Sequence, residues 1–423
     1  MINKPKGTMD IYGEYAKKWN YVGEVFASLC EKYNYEFIRT PVFEASEVFH
    51  RGMGETTDVV SKETYDFMDR GERNMTLRPE GTAGVVRCYI EDKLYGRAIQ
   101  PVKFYYNEPM YRYERPQSGR MRELTQFGIE LLGTTDPLAD AEVISIAVNF
   151  YKLLGLKGIK VNINSLGNQN SRKMYREALI DYLKPNINEL CPDCQRRYET
   201  NPLRVIDCKY DTEAKPEILK NVPKTIDYLD EESSKHFNLV KTYLDAMDIE
   251  YIVNPKIVRG LDYYTHSVFE VEAEIEGFGS QNVLCGGGRY DNLVELLDGP
   301  STPGVGFAGG LDRLMLALDA EDVNMPIKDN IDIYIMYVNT QEKEYAISLA
   351  QDLRLNGFIT EMDNMSRGLK GQFKQADRYK AKFLIITNSE DIKDGVVQVK
   401  DTTTKEEQKI AWNDLVQFFD MNI

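Results

Sequence analysis

Residues 104–130 read FYYNEPMYRYERPQSGRMRELTQFGIE, and the order of residue types in this stretch decides the fold. VKFYYNEPMYRY, from Val102, and LTQFGIELLG, from Leu124, are dense in aromatic and aliphatic residues. The segment between them, ERPQSGR, is polar and carries a proline and a glycine. That pattern predicts a strand, a long charged tip and a returning strand. Arg112, Arg115, Arg120 and Arg122 crowd the tip, and Gln126 and Glu130 follow on the return. An arginine projecting from an interior strand needs a buried anion or carboxylate as its partner. Several converging arginines suit a polyphosphate, because the planar guanidinium fork binds phosphate bidentately and stays charged.

Upstream, Trp19, Val22, Val25, Phe26 and Leu29 recur at helical spacing within residues 14–34. EFIRTPVFE then reads as extended, with Pro41 marking a strand edge or boundary, since proline cannot serve an interior ladder. LRPEGT supplies Arg78, Glu80, Gly81 and Thr82. Downstream, DPLADAEVISIAVNFYKLLG reads as a helix. Residues from about 165 to 255 are rich in Lys, Asp, Asn and Tyr, read as mainly helical, and look inserted between two halves of a core. The core resumes with VRGLDYYTHSVFEVEAE, which carries Arg259, Tyr263 and Tyr264. It continues through the glycine cluster CGGGRYDNLVELL to GVGFAGGLDRLMLALD, a glycine-rich strand entering an apolar helix with Arg313. From about residue 326, strand-like and helix-like segments alternate as in a small α/β unit, ending in a hairpin and a helix.

The composition narrows the function. The chain has 423 residues, room for two or three domains, and its 42% hydrophobic and 28% charged residues suit a globular, soluble protein. No window approaches 18 apolar residues, and the N-terminus has no apolar run of the secretory kind, so neither a membrane span nor a signal is expected. Six cysteines in so long a chain suit a reducing cytosol better than a disulfide framework. A net charge of −15 restricts any polyanion contact to local basic stretches such as RYERPQSGRMR and SRGLKGQFKQADRYKAK, which can equally be solvated faces. His50, His236 and His266 have no metal-ligating spacing. Cys191-x-x-Cys194 with Cys208 offers three thiols and no nearby fourth ligand, so no tightly bound metal is expected. Gly304-x-Gly306-x-x-Gly309 follows LLDGPSTP rather than a buried strand, which removes the context a dinucleotide fingerprint requires. Those glycines instead suggest close approach of a backbone to another backbone or to a ligand. The chain contains neither GxxxxGK[ST] nor GxSxG.

Taken in order, these segments resemble the signature motifs of class II aminoacyl-tRNA synthetases. IRTPVFE is similar to motif 1, residues 104–130 to motif 2, and GVGFAGGLDRLMLAL to motif 3. VRGLDYYTHSVFE and CGGGRYDNLVELL are similar to stretches peculiar to the histidyl-tRNA synthetase family, bacterial type, and the resemblance covers essentially the whole chain. It implies an α/β protein with an α+β catalytic core. That core would be an antiparallel sheet flanked by helices (residues 1–165 and 256–325), joined by a helical insertion (166–255) and a C-terminal mixed-sheet α/β anticodon-binding domain (330–423). The implied activity joins histidine to ATP as histidyl-adenylate, releasing pyrophosphate, and then transfers histidine to the 3′ end of its tRNA. Carried over residue by residue, Arg112 and Arg259 would hold the α-phosphate, Arg313 the γ-phosphate, and Arg120 would assist. Gln126 would orient the reacting carboxylate. Glu80 and Thr82, flanking Gly81, would take the α-amino group, and Glu130 and Tyr264, with Tyr263 beside them, the imidazole. Arg115, Gln117 and Arg122 would reach the tRNA acceptor end. The resemblance further implies ATP with Mg2+, a cytoplasmic homodimer built through motif 1, and no membrane partner.

Competing readings make different demands. A synthetase-like regulatory subunit of ATP phosphoribosyltransferase typically lacks the C-terminal domain and has degraded motifs, whereas Arg112, Arg259, Arg313 and residues 330–423 are all present. A nucleic-acid sensor would leave a whole phosphate-binding set unexplained. A prolyl or threonyl enzyme would lack RGLDYYTHSVFE.

Overall fold

The computed structural model describes residues 2–54, 57, 59–117, 119–206, 208–257, 263–273 and 282–423. The chain forms two compact units, residues 1–12 with 18–325 and residues 13–17 with 326–423.

The first unit contains β1 Glu36–Phe37, β2 Phe43–Ala45, β3 Tyr65–Met68, β4 Asn74–Leu77, β5 Val102–Tyr111 and β6 Glu123–Leu132. It continues with β7 Ile159–Ser165, β8 Ile252–Val253, β9 Thr265–Ala273, β10 Val283–Arg289 and β11 Gly304–Gly310. Eight of these form one sheet in the order β1-β5-β6-β11-β10-β9-β7-β8. Its ladders are antiparallel except at the two edges, where β1 runs parallel to β5 and β8 parallel to β7. A separate small sheet has the order β2-β4-β3. Pro41 falls between β1 and β2, at the boundary its missing N–H calls for.

The opening hairpin is the spine of the sheet. β5 and β6 pair without a break from Val102↔Leu132 to Tyr111↔Glu123. Successive side chains on a strand point to opposite faces. Phe127, Ile129 and Leu131 therefore share one face of β6, and Gln126, Gly128 and Glu130 share the other. On the first face Phe127 joins Phe26, Phe150 and Phe307 in edge-to-face contacts with centroids 5.0–6.4 Å apart. Such pairs add about 0.5–1.5 kcal/mol each beyond area burial. Phe150 arrives on helix Pro137–Leu154, which starts with Asp136 accepting from the Leu138 amide at 2.9 Å and Pro137 in the first turn. Gly155, at φ 90°, ends it in the left-handed conformation glycine favours.

Buried ion pairs lock the periphery of this sheet. Arg78, 1% exposed, donates to Glu108 at 2.8 Å, to the Thr40 carbonyl at 2.7 Å and to the Pro109 carbonyl at 2.9 Å. Arg289 on β10 is held by Asp140, whose carboxyl lies well below the ordinary carboxylate range against the pull of burial, because Arg289 and His236 face it.

Between β7 and β8 the chain is mainly helical, with helices Gln169–Leu183, Pro192–Thr200 and Glu231–Ala246 among its elements. Tyr175, Leu179, Leu183, Cys194 and Val205 are in its own apolar core. Both strands bounding this stretch belong to the large sheet.

The second unit has β12 Ile333–Met336, β13 Thr360–Met362, β14 Phe383–Ile386, β15 Val396–Asp401 and β16 Glu407–Ala411, in the order β13-β12-β14-β15-β16. β12 is parallel to β13 and β14, and the β14–β15–β16 ladders are antiparallel, so the sheet is mixed. Helices Thr340–Leu355 and Leu415–Asn422 cover an apolar core containing Ile335, Leu353, Phe383 and Phe419. A capping box between Asn339 and Glu342 starts the former. Among the described residues, no helix is long and apolar enough to cross a membrane.

Candidate active site

On the other face of the hairpin lies a cavity of about 410 Å³. Its floor is the sheet itself, and the floor is made low by small residues. Gly306 of β11 pairs with Glu130, and Ala308 with Gly128. A Cβ on Gly306 would stand 2.1 Å from Glu130 Oε2 and 2.3 Å from the Ile129 carbonyl, so only glycine fits. Gly304 and Gly309 similarly make way for the rings of Tyr290 and Phe127. The GxGxxG spacing is thus an antiparallel strand that admits its neighbours' side chains.

Glu130 sits at the buried end of the pocket, 1% exposed. Thr82 Oγ1 donates to it at 2.7 Å and Tyr106 at 3.2 Å, and the Tyr290 hydroxyl donates to its second oxygen. Burial pushes its carboxyl up to about 8 from an ordinary 4.5; these three hydroxyls oppose that rise and the nearby Glu80 adds to it. Glu80 spends one lone pair on the Thr82 amide (2.8 Å) and one on the Ala83 amide (2.7 Å), closing the start of helix Thr82–Glu91. Burial raises its carboxyl too, against those amides and the Arg112 charge. The Gly81 amide donates to Gln126 Oε1 at 2.9 Å, which leaves the Gln126 amide nitrogen as that side chain's donor. Tyr263 and Tyr264 are buried beside these groups with centroids 4.7 Å apart, and Tyr263 meets Tyr290 edge-on at 5.7 Å.

Toward solvent the pocket is lined by Arg112, Arg120 and Arg313. Arg112 Nε donates to the Pro79 carbonyl at 2.8 Å, and Arg313 Nη1 to the Val283 carbonyl at 2.7 Å. Glu114 lies 3.8 Å from Arg112 and 3.4 Å from Arg120. Burial lowers the Arg313 guanidinium from its ordinary value, and the like charges of Arg120 and Arg112 push the same way. Each guanidinium is anchored at one edge, and together they concentrate positive charge where an anion would neutralise it.

The cavity therefore gathers Glu80, Thr82, Arg112, Arg120, Gln126, Glu130, Tyr263, Tyr264 and Arg313. Gly81 stands behind them, its Cα facing the Tyr106 ring. Arg259 lies outside the described residues. Arg115 and Gln117 are exposed on the hairpin tip, away from this cavity. Arg122 stacks 3.9 Å over the Tyr113 ring and donates to the Glu114 carbonyl at 3.2 Å, so it braces the tip. The sequence reading missed Tyr106, Tyr290 and Glu114. Tyr106 was reachable, since the pleat puts it opposite Gly128 on the pocket face.

Arginines clustered from the motif 2 and motif 3 segments around one largely antiparallel sheet, with the buried carboxylate of Glu130 on β6 at the far end of the same cavity, place the protein among the class II aminoacyl-tRNA synthetases. Residues 7–314 match the family model described as histidyl-tRNA synthetase, and residues 332–422 the anticodon binding domain. Histidine--tRNA ligases of Anoxybacillus flavithermus and Oceanobacillus iheyensis are each 49% identical, the first covering 96% of this chain and of its own length, the second 98% and 96%. The apo histidyl-tRNA synthetase of S. aureus is similar at a TM-score of 0.85 and 42% identity, covering 99% of this chain and 100% of its own. The chain belongs to the histidyl-tRNA synthetase family. The match over residues 332–422 supplies the C-terminal domain that a regulatory subunit of ATP phosphoribosyltransferase typically lacks.

Proposed function

We propose that this pocket performs the ligation of histidine to tRNA, with the division of roles that follows. The observation that carries the reading is the single cavity with a buried carboxylate at one end and three guanidiniums at the other. Gln126 and Glu130 share a strand face four residues apart, a span of about 13 Å at ~3.3 Å per residue. That span suits an amino acid bound lengthwise with its carboxylate meeting a phosphate.

The imidazole of histidine enters between Glu130 and Tyr264, with Tyr263 closing one side. The Thr82 hydroxyl donates a hydrogen bond to Glu130, so its oxygen keeps lone pairs for the α-ammonium group. Glu80 retains lone pairs beyond the two that its amide donors use. The Gln126 amide nitrogen points the substrate carboxylate toward the α-phosphate. That carboxylate attacks the α-phosphorus in line, a new O–P bond forms, and the bond to the bridging oxygen breaks with release of pyrophosphate. Arg112 and Arg259 hold the α-phosphate, Arg120 assists, and Arg313 holds the γ-phosphate, all supplying fixed positive charge rather than covalent chemistry. A ribose hydroxyl at the tRNA 3′ end then attacks the adenylate carbonyl, and AMP leaves.

Mg2+ enters with ATP and neutralises phosphate charge. Of the acidic residues lining the pocket, Glu114 already faces Arg112 and Arg120, and Asp312 accepts from the Thr125 amide at 3.0 Å. The ion would be held chiefly by phosphates and water.

Residues 1–165 and 256–325 serve as the catalytic core and 166–255 as the insertion, while 330–423 bind the anticodon end of the tRNA. Arg115, Gln117 and Arg122 serve its acceptor end. Lys370, Lys374 and Arg378 recur at four-residue intervals on helix Leu369–Arg378, all exposed, and suit contact with the tRNA backbone. A homodimer is supported by exposed Phe37, Phe43, Phe67 and Met68 around the motif 1 segment. Six cysteines outside any disulfide among the described residues support a cytoplasmic location.

ATP–pyrophosphate exchange with each of the twenty amino acids tests the reading. Exchange with histidine alone is expected. Exchange with another amino acid would overturn the pocket assignment, and no exchange at all would overturn the catalytic reading.

A further inference from the structure

Cys191, Cys194, Cys208 and Asp211 meet in the helical insertion, outside the pocket described above. Their three sulfurs and one carboxylate oxygen all lie within 4.8 Å of one another. Spacing along the chain offered three thiols, and folding supplies the fourth ligand one helical turn past Cys208.

The local structure explains the meeting. Cys191 immediately precedes helix Pro192–Thr200, and Cys194 lies in its first turn. Cys208 immediately precedes helix Lys209–Ala214, and Asp211 lies in that first turn. Backbone bonds tie the two segments together. The Cys191 amide donates to both Asp211 oxygens at 3.1 Å, and the Asp211 amide donates to Cys208 Sγ at 3.5 Å. Three of its members are buried, with Cys194 0%, Asp211 1% and Cys208 7% exposed, and Cys191 is half-buried at the edge of the adjoining cleft. A carboxylate this deep calls for a cation or a metal ion as its partner. Among the described residues no basic side chain forms an ion pair with Asp211.

The sulfur spacing is compatible with a tetrahedral thiolate site. Cys191 Sγ and Cys208 Sγ are 3.8 Å apart. A tetrahedral zinc ion with Zn–S bonds of about 2.3 Å holds its sulfurs about 3.8 Å apart. Thiolates select zinc over magnesium or calcium, and four protein ligands leave no open position, as in a structural site. We propose that Cys191, Cys194, Cys208 and Asp211 bind a structural zinc ion. On binding, three thiols release three protons to solvent and three Zn–S bonds form beside one Zn–O bond. The complex carries two net negative charges, and Arg197 and Lys215, lining the adjoining cleft, are placed to offset them. That cleft is walled on its other side by Gln117 and Arg120 of the hairpin tip. The ion would therefore fix the segment facing that tip.

The full chain, produced without a metal-affinity tag in zinc-supplemented medium, is assayed for metal by mass spectrometry. One zinc per chain is expected, released by a mercurial that titrates thiols. Asp211→Ala and Cys194→Ser should lose it, and Cys88→Ser, outside the cluster, should keep it. Since those two variants can also misfold, the wild-type chain is in addition reconstituted with cobalt(II). Strong thiolate-to-cobalt absorption with tetrahedral visible bands supports the site. A folded wild-type chain with no more zinc than Asp211→Ala and no such absorption overturns it, as does a Cys191–Cys208 disulfide in freshly purified protein.

Discussion

Glu130→Gln should make the ligand-free protein more stable above neutral pH while disabling it. Native Glu130 holds its proton up to about 8, whereas the unfolded side chain releases it near 4.5. Between those values the native state binds more protons than the unfolded state, so the contribution of this group to stability falls as pH rises. At about 1.4 kcal/mol per pH unit, the wild-type chain loses roughly 4 kcal/mol relative to the variant between pH 5 and pH 8. Glutamine keeps the shape and an oxygen for Thr82 and Tyr106, but it never ionises, so it escapes that loss. Urea unfolding of both proteins, without histidine or ATP, at four values across that range gives the difference directly. Histidine-dependent pyrophosphate exchange, measured alongside, should fall by about 10²-fold or more in kcat/KM, since the carboxyl that pairs with the imidazole is gone. Parallel stability curves would refute the argument that burial dominates this carboxyl. An unimpaired exchange rate would refute its role toward histidine.

Arg259→His should abolish adenylate formation while leaving the protein folded, because the permanent charge proposed to meet the α-phosphate is lost; near wild-type exchange in a well-folded variant would sink that role. Gly306→Ala should cost roughly 1–3 kcal/mol of stability through overpacking and, by displacing Glu130, raise the KM for histidine far more than that for ATP, as steady-state exchange would show. Arg78→Met should destabilise the protein by up to about 3–5 kcal/mol, since Glu108 is left buried with only the exposed Arg39, 3.7 Å away, to face it; a melting temperature unchanged from wild type would contradict the ion pair's place in the fold.

Much of this was legible in residues 104–130, because strand alternation and a polar tip are local properties. The hairpin, the break at Pro41 and the glycine strand entering helix Leu311–Ala320 follow from the same kind of signal. What stayed hidden depended on pairing between distant segments. Arg78 looks like a ligand arginine in sequence, yet it meets a carboxylate supplied by β5. Tyr290 sits inside a quoted motif, but nothing local says that its hydroxyl ends on Glu130. Asp211 is one acid among many until two helix starts bring it to three sulfurs.

The unbroken β5–β6 ladder has a consequence for insertions. The hairpin tip can take extra residues without disturbing the pairing below it. A single residue added between Glu123 and Gln126 would instead shift the strand by one place against its partners. Phe127 and Ile129 would then face the cavity, and Gln126 and Glu130 would be driven among the phenylalanines. The chemistry of this sheet depends on a strand reading frame, and an error of one residue turns the pocket inside out.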